Sequence, residues 1–203
     1  MNFNSTILGD EKQDFAVEAG RVQPLKKSFA FIRFGSFWIA FISIFLVAFF
    51  GPLLQGKEVE FESEGKLVVA SLDNLEPLLM PAIIIGIFLF IGLAIVGWGL
   101  YCIFKKGGHF VATPTRLIHF NGNQVRSIDW EQFSGEIWVT GNAKKGDITL
   151  QLRTGHMTST RNGSKRYVPD LVYLAAVPKP FELEQICRKR IKEHDPTPFS
   201  GPN

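Results

Sequence analysis

The chain has 203 residues, a formal net charge of +3, 20% charged residues and 46% hydrophobic residues, enough for one small domain plus a membrane anchor. Two cysteines and four histidines in no ligand-like spacing exclude a disulfide scaffold and a zinc site of the usual Cys/His pattern. The charge is too balanced, and too little interleaved with aromatics, for a nucleic-acid-binding face.

The mean hydropathy of +0.11 hides a sharp segregation of charge. Residues 1–33 read as a polar, cytoplasmic N-terminal tail with no sustained period, closing on Lys26, Lys27 and Arg33. From Phe34 to Leu54 run 21 residues without a charge, and from Pro77 to Phe104 run 28. A hydrocarbon core of about 30 Å needs about 20 apolar residues in a helix, so residues 34–104 are expected to form a transmembrane hairpin of helices 34–54 and 77–104 joined by an outer loop, 55–76. A cleaved signal peptide is the weaker alternative, because its apolar core is shorter and no small-residue cleavage pattern follows Gly51.

Net charges of +1 for residues 1–33, −4 for 55–76 and +6 for 105–203, with Lys105 and Lys106 closing the second span, place both termini in the cytoplasm by the positive-inside rule. Trp38 and Trp98 then fall near the cytoplasmic interface. Ser36, Ala40 and Ser43 share one face of the first helix. Ala82, Gly86, Gly92 and Gly99 supply small residues on the second, and such faces let helix backbones approach closely, within the hairpin or against another subunit. Neither span contains Asp, Glu, Lys, Arg or His, which argues against an ion or proton pathway built from this chain alone. The loop offers Val59–Glu62 and Lys66–Leu72 as a short hairpin, with its glutamates on a solvated face.

After a short Gly107–Gly108 linker, residues 105–194 change to period-two alternation broken by turn residues. Strands are expected at 110–112, 116–120, 125–130, 135–140, 147–153 and 167–177, with His156–Arg166 as a polar excursion. Pro178 and Pro180 open a helix over 181–194. The Pro-rich tail, 195–203, reads as disordered. Lys144 and Lys145 fall at a hairpin tip, and Arg161, Lys165 and Arg166 in the excursion, where they could meet anionic headgroups. Trp130 and Trp138 are either core residues or, if exposed on an open sheet, marks of a partner site.

The segment Phe110-Val111-Ala112-Thr113-Pro114-Thr115-Arg116-Leu117-Ile118, followed by Val125-Arg126-Ser127-Ile128-Asp129-Trp130, Gly146–Leu150 and a terminal helix, resembles bacterial pleckstrin-homology-like domains. In those families one or two transmembrane helices stand directly before the domain. The resemblance implies a membrane α-helical hairpin plus an α+β domain, a curled antiparallel sheet or barrel capped by a C-terminal helix. It also implies a multi-pass protein of the bacterial inner membrane.

His109, His119, His156 and His194 carry none of the local signatures of a nucleophilic triad, and Gly107–Gly108 and Gly141–Gly146 lack the context of a phosphate loop. The chain is therefore expected not to be an enzyme and to use no cofactor, metal, small-molecule substrate or nucleic acid. The expected role is a membrane-anchored interaction module, an accessory or assembly subunit whose partners are membrane lipids and another membrane protein or a second copy of itself. The alternative is an anionic-lipid sensor acting through Lys144, Lys145, Arg161, Lys165 and Arg166.

Overall fold

The computed structural model describes residues 11–63, 65–71, 74–160 and 163–196. The chain divides into two compact units, one built from Met1–Pro24 and Ile103–Asn203, the other from Leu25–Cys102. Each obeys a different packing logic.

The first unit begins in a segment that carries no sustained period. Phe15–Ala19 is strand β1, with Val17 and Ala19 buried and Glu18 outside; five residues are too few to announce a period, but they suffice for pairing. β1 lies antiparallel to a strand about 90 residues later in the chain, in the register Phe15↔Ala112 to Ala19↔Gly108. The N-terminal segment is therefore part of the β domain and not a separate tail, and the hairpin interrupts the domain instead of preceding it.

Pairing continues past the strand ends. The Gly107 N–H donates to the Ala19 carbonyl at 2.9 Å and the Val22 N–H to the Lys105 carbonyl at 3.0 Å. Gly107 and Gly108 are thus not a free linker. A Cβ on Gly107 would collide with the Arg21 carbonyl, and Gly108 holds φ +85° against the Phe120 carbonyl, a backbone that favours glycine.

The second unit, Leu25–Cys102, opens with helix α1 (Leu25–Leu54). It starts nine residues before the uncharged block, because Lys26, Lys27 and Arg33 bound the apolar stretch without breaking the helix. Strands β2 (Val59–Ser63) and β3 (Lys66–Ala70) pair as a hairpin. A single 3₁₀ turn then leads into helix α2 (Leu79–Phe104).

Leu53, Ala70 and Leu78 form a small core here with Phe49, Phe50, Val59 and Phe61 beside it. The two helices touch through Ser28, Ile32, Gly35 and Ile39 on α1 and Gly92, Val96 and Gly99 on α2. A Cβ on Gly99 would lie 2.7 Å from Ile32 Cγ1, and one on Gly92 would lie 2.8 Å from the Ile39 and Trp38 side chains. Gly92 and Gly99 belong to the small-residue face expected from sequence. Ser36 and Ala40 are exposed, Gly86 faces open space, Ala82 is half-buried, and Ser43 spends its hydroxyl on the Ile39 carbonyl of its own helix. On α1 the contact face is the heptad of Ser28, Gly35 and Ile42, one position around from the expected stripe.

Both helices are long and apolar enough to cross a membrane, and only 11% and 6% of their most apolar windows are buried inside the protein. Trp38 spans the pair by donating from Nε1 to the Phe88 carbonyl at 2.9 Å.

The first unit resumes with β4 (Gly108–Ala112), β5 (Arg116–Asn121), β6 (Gln124–Asp129), β7 (Phe133–Gly141), β8 (Lys145–Ser159), β9 (Lys165–Pro178) and helix α3 (Pro180–Glu193). Two antiparallel sheets result, ordered β1-β4-β5-β6 and β7-β8-β9. Their core joins Phe110, Leu117 and Ile128 from one sheet, Ile148, Leu150 and Leu174 from the other, and Cys187 and Ile191 from α3.

Where β1 meets β9, Arg21 bridges Ala175. Asp147 there accepts from the Arg21 guanidinium at 3.1 Å and from the Ala176 N–H at 2.7 Å. That second bond offsets the left-handed backbone of Ala176, φ 58°, which costs about 1–3 kcal/mol. Asp14, just before β1, takes a two-pronged bond from Arg190 on α3, at 2.7 and 2.8 Å.

The two ends of the polar excursion are strand. β8 runs through His156 to Ser159, and β9 starts at Lys165. Beyond Leu152 neither face of this hairpin is buried, so its sequence carries no alternation.

Candidate interaction surfaces

Period two puts Ile137 and Val139 of β7 against the core and turns Trp138 outward. Directly opposite strand residues share a face, and Trp138 pairs with Thr149, which pairs with Tyr173. Gln151 and Leu171 form the next row. The outer face of the three-stranded sheet thus carries an aromatic row in which Trp138 is 47% exposed. Among the described residues β7 pairs with β8 alone, so its other edge offers unpaired strand backbone beside the tryptophan. A bulge at Ser134–Gly135, with Gly135 at φ +90°, confines the regular edge to Ile137–Gly141.

Trp130 is the opposite case. It is fully buried, donates from Nε1 to the Thr113 carbonyl at 2.8 Å and lies against Phe133 at 5.5 Å.

The basic candidates do not form one site. Lys144 and Lys145 sit at the β7–β8 turn, where Asn142 Oδ1 accepts both of their backbone N–H groups at 3.0 and 2.9 Å. Lys165 pairs with Ser159 at the other end of β8 and Arg166 with Thr158. Fourteen residue steps at about 3.3 Å put the two ends at most about 46 Å apart, less where the register shifts at Gly146–Ile148 and Gln151–Gly155. Arg161 lies outside the described residues.

Beside Lys165, the β8–β9 tip closes through Thr160, whose N–H and hydroxyl both donate to the Ser164 carbonyl at 2.8 Å. Further down, Met157 faces Tyr167, 66% and 47% exposed, and the Tyr167 hydroxyl donates to the Arg153 carbonyl at 2.6 Å.

Two groups suited to chemistry, Cys187 and His119, are held in the β domain. Burial pushes the Cys187 thiol up to about 12, so no thiolate nucleophile is available there. His119 stacks on Phe110 with ring centres 4.1 Å apart and sets Nε2 2.7 Å from the Gly107 carbonyl; burial lowers its pKa. It lines an open cavity of about 490 Å³ with Asn121, Gln124, Val125 and Arg126. An entirely apolar groove of about 430 Å³ runs between Trp38, Phe41, Phe45 and Phe49 on α1 and Pro81, Ile84 and Phe88 on α2.

The tryptophan row was legible only as an alternative, since exposure depends on which sheets flank β7. The hairpin tip was seen as a basic stretch but not as strand. No family model matches the chain, and neither a curated protein nor a solved structure does so.

Proposed function

We propose that this protein is a non-catalytic, membrane-anchored interaction module, an accessory or assembly subunit that holds a protein partner beside the inner leaflet of a bacterial membrane. The observation that carries the reading is Trp138, half exposed in an aromatic row on a sheet whose β7 edge is unpaired among the described residues. Exposed aromatics anchor protein interfaces, and an open strand edge accepts an extended segment of a partner by backbone pairing.

The anchoring half of the proposal draws support from topology. Residues 14–22 and 105–112 are hydrogen-bonded to one another, so both ends of the apolar hairpin emerge on one side of any bilayer it enters. Lys26, Lys27 and Arg33 at the start of α1 and Lys105 and Lys106 after its partner helix favour the cytoplasmic side. Two antiparallel sheets closed by a C-terminal helix agree with a pleckstrin-homology-like reading of the β domain, with the helical hairpin inserted after its first strand.

The test is co-purification from native membranes in mild detergent, with cross-linking mass spectrometry and a Trp138→Ala variant beside the parent. A stoichiometric partner cross-linked at Lys144 or Lys145, and lost with Trp138→Ala, is the expected result. Recovery of the chain with lipid alone sinks the proposal.

A further inference from the structure

Strand direction sorts the ends of the β domain. β1 runs toward Pro24, where the chain leaves this unit, and β4 runs back from Ile103, where it returns. The Arg21↔Ala175 bridge is antiparallel, so β9 runs opposite to β1. Its first residues, Lys165 and Arg166, therefore lie on the side toward which β1 leaves the domain. Pro178 and its partner Lys145 lie at the far end.

Chemistry at the near end is one-sided. Residues 153–169 contain Arg153, Arg161, Lys165 and Arg166 but no Asp or Glu, and the next residue, Asp170, is turned to Thr154 at 3.1 Å and His156 at 3.8 Å at the inner end of this stretch. Arg153 is neutralised by Asp195 at 2.8 Å, which leaves the outer part of the hairpin cationic. On one face of it Met157 and Tyr167 stand opposite each other, next to the Ser159–Lys165 pair. Both are large and exposed in a segment that has left the core.

We infer that the β8–β9 hairpin is a second membrane contact, which lays Met157 and Tyr167 into the interface of an anionic leaflet while Lys165, on the same face, meets its headgroups and Arg166, on the opposite face, adds to the local positive charge. The inference rests on the anchoring half of the proposal above and is independent of the partner. Amphipathic surfaces with bases beside apolar side chains bind at the headgroup boundary, and each base near an anionic surface contributes attraction that salt screens. The Lys144–Lys145 turn takes no part in this contact, despite equal charge, because it lies at the far end.

The full-length chain, reconstituted in lipid discs, tests this directly. Discs of phosphatidylcholine with or without phosphatidylglycerol would carry a headgroup nitroxide quencher. An environment-sensitive fluorophore goes on Met157→Cys or, as the comparison, Lys144→Cys; the native Cys102 and Cys187 are buried. Expected are a blue-shifted, quenched Met157→Cys label in anionic discs, relief by high salt or by Lys165→Glu with Arg166→Glu, and an unquenched Lys144→Cys label throughout. Hydrogen exchange over residues 155–169 supplies a label-free second reading, with slowing expected in anionic discs. A Met157→Cys label no more quenched than the Lys144→Cys label, or quenching indifferent to lipid charge, overturns the inference. A chain that never enters the discs overturns the anchoring reading as well, and disc incorporation separates the two failures.

Discussion

The two compact units treat apolar side chains in opposite ways. In the β domain Phe110, Leu150 and Leu174 are sealed between the sheets. In the helical hairpin Phe37, Phe90 and Leu93 stand exposed, while most of the sites closed off between the helices are small, Ser28, Gly35, Gly92 and Gly99, with Ile42 the large exception. Water drives the first arrangement through the hydrophobic effect. On the proposed membrane reading it does not drive the second, in which helices pack by close backbone approach with hydrocarbon turned outward. The contrast teaches that burial reports on the solvent a unit was built for as much as on its stability.

The sharpest way to break the comparison is to delete equal volumes from both units. Leu150→Ala should cost the β domain about 2–5 kcal/mol through lost transfer energy and a residual cavity. Leu93→Ala, on a 54% exposed side chain, should leave the stability of the hairpin nearly unchanged. Hydrogen exchange of both units in detergent reads the two losses side by side, and comparable losses would remove the distinction.

Adding volume should reverse the ranking along α2. At Gly99 even a Cβ meets Ile32 and the Ser28 carbonyl, so Gly99→Leu should force the helices apart at about 1–3 kcal/mol. Gly97 faces open space, and Gly97→Leu should be silent. Disulfide trapping between cysteines introduced on facing turns of the two helices measures the separation.

The smallest expected effect sharpens how the β domain is tied together. The paired Arg190 guanidinium holds the Asp14 carboxyl below its ordinary value of 3.8, and it loses that partner on unfolding. Stability from the pair is therefore complete above the ordinary carboxylate value and is lost as pH falls through the lower folded value. Asp14→Asn should cost about 1–3 kcal/mol at neutral pH and flatten the acid limb of a denaturation profile. An unchanged limb would assign acid sensitivity to other carboxylates.

What was readable in sequence follows from the same contrast. Both long helices could be read because their apolar residues form continuous blocks, and their ends were misplaced only where Lys26, Lys27 and Arg33 continue α1 beyond its uncharged part. The strands from β4 to β9 were readable wherever one face meets the core. β1 was too short to show its period, and the outer β8–β9 hairpin has no buried face to impose one. Packing of α1 on Gly92 and Gly99 selected Ser28 and Gly35 over the equally small Ser36 and Ala40, a choice set by helix rotation and invisible in one strand of sequence. The basic residues were seen as a set, but distance along β8 splits them, and only topology could supply that distance.

The hairpin's position between β1 and β4 has a consequence for biosynthesis. Ala19 must wait for Gly108, and at about 5–20 residues per second that delay is several seconds of translation. Asp14 must wait longer, until Arg190 leaves the ribosome. The opening strand cannot be completed by its neighbours in sequence, so the β domain closes only after the whole helical hairpin has been made. On the proposed membrane reading, a nascent chain that inserted one helix and not the other would leave β1 and β4 on opposite sides of the bilayer, an unfinished sheet for chaperones or proteases to find.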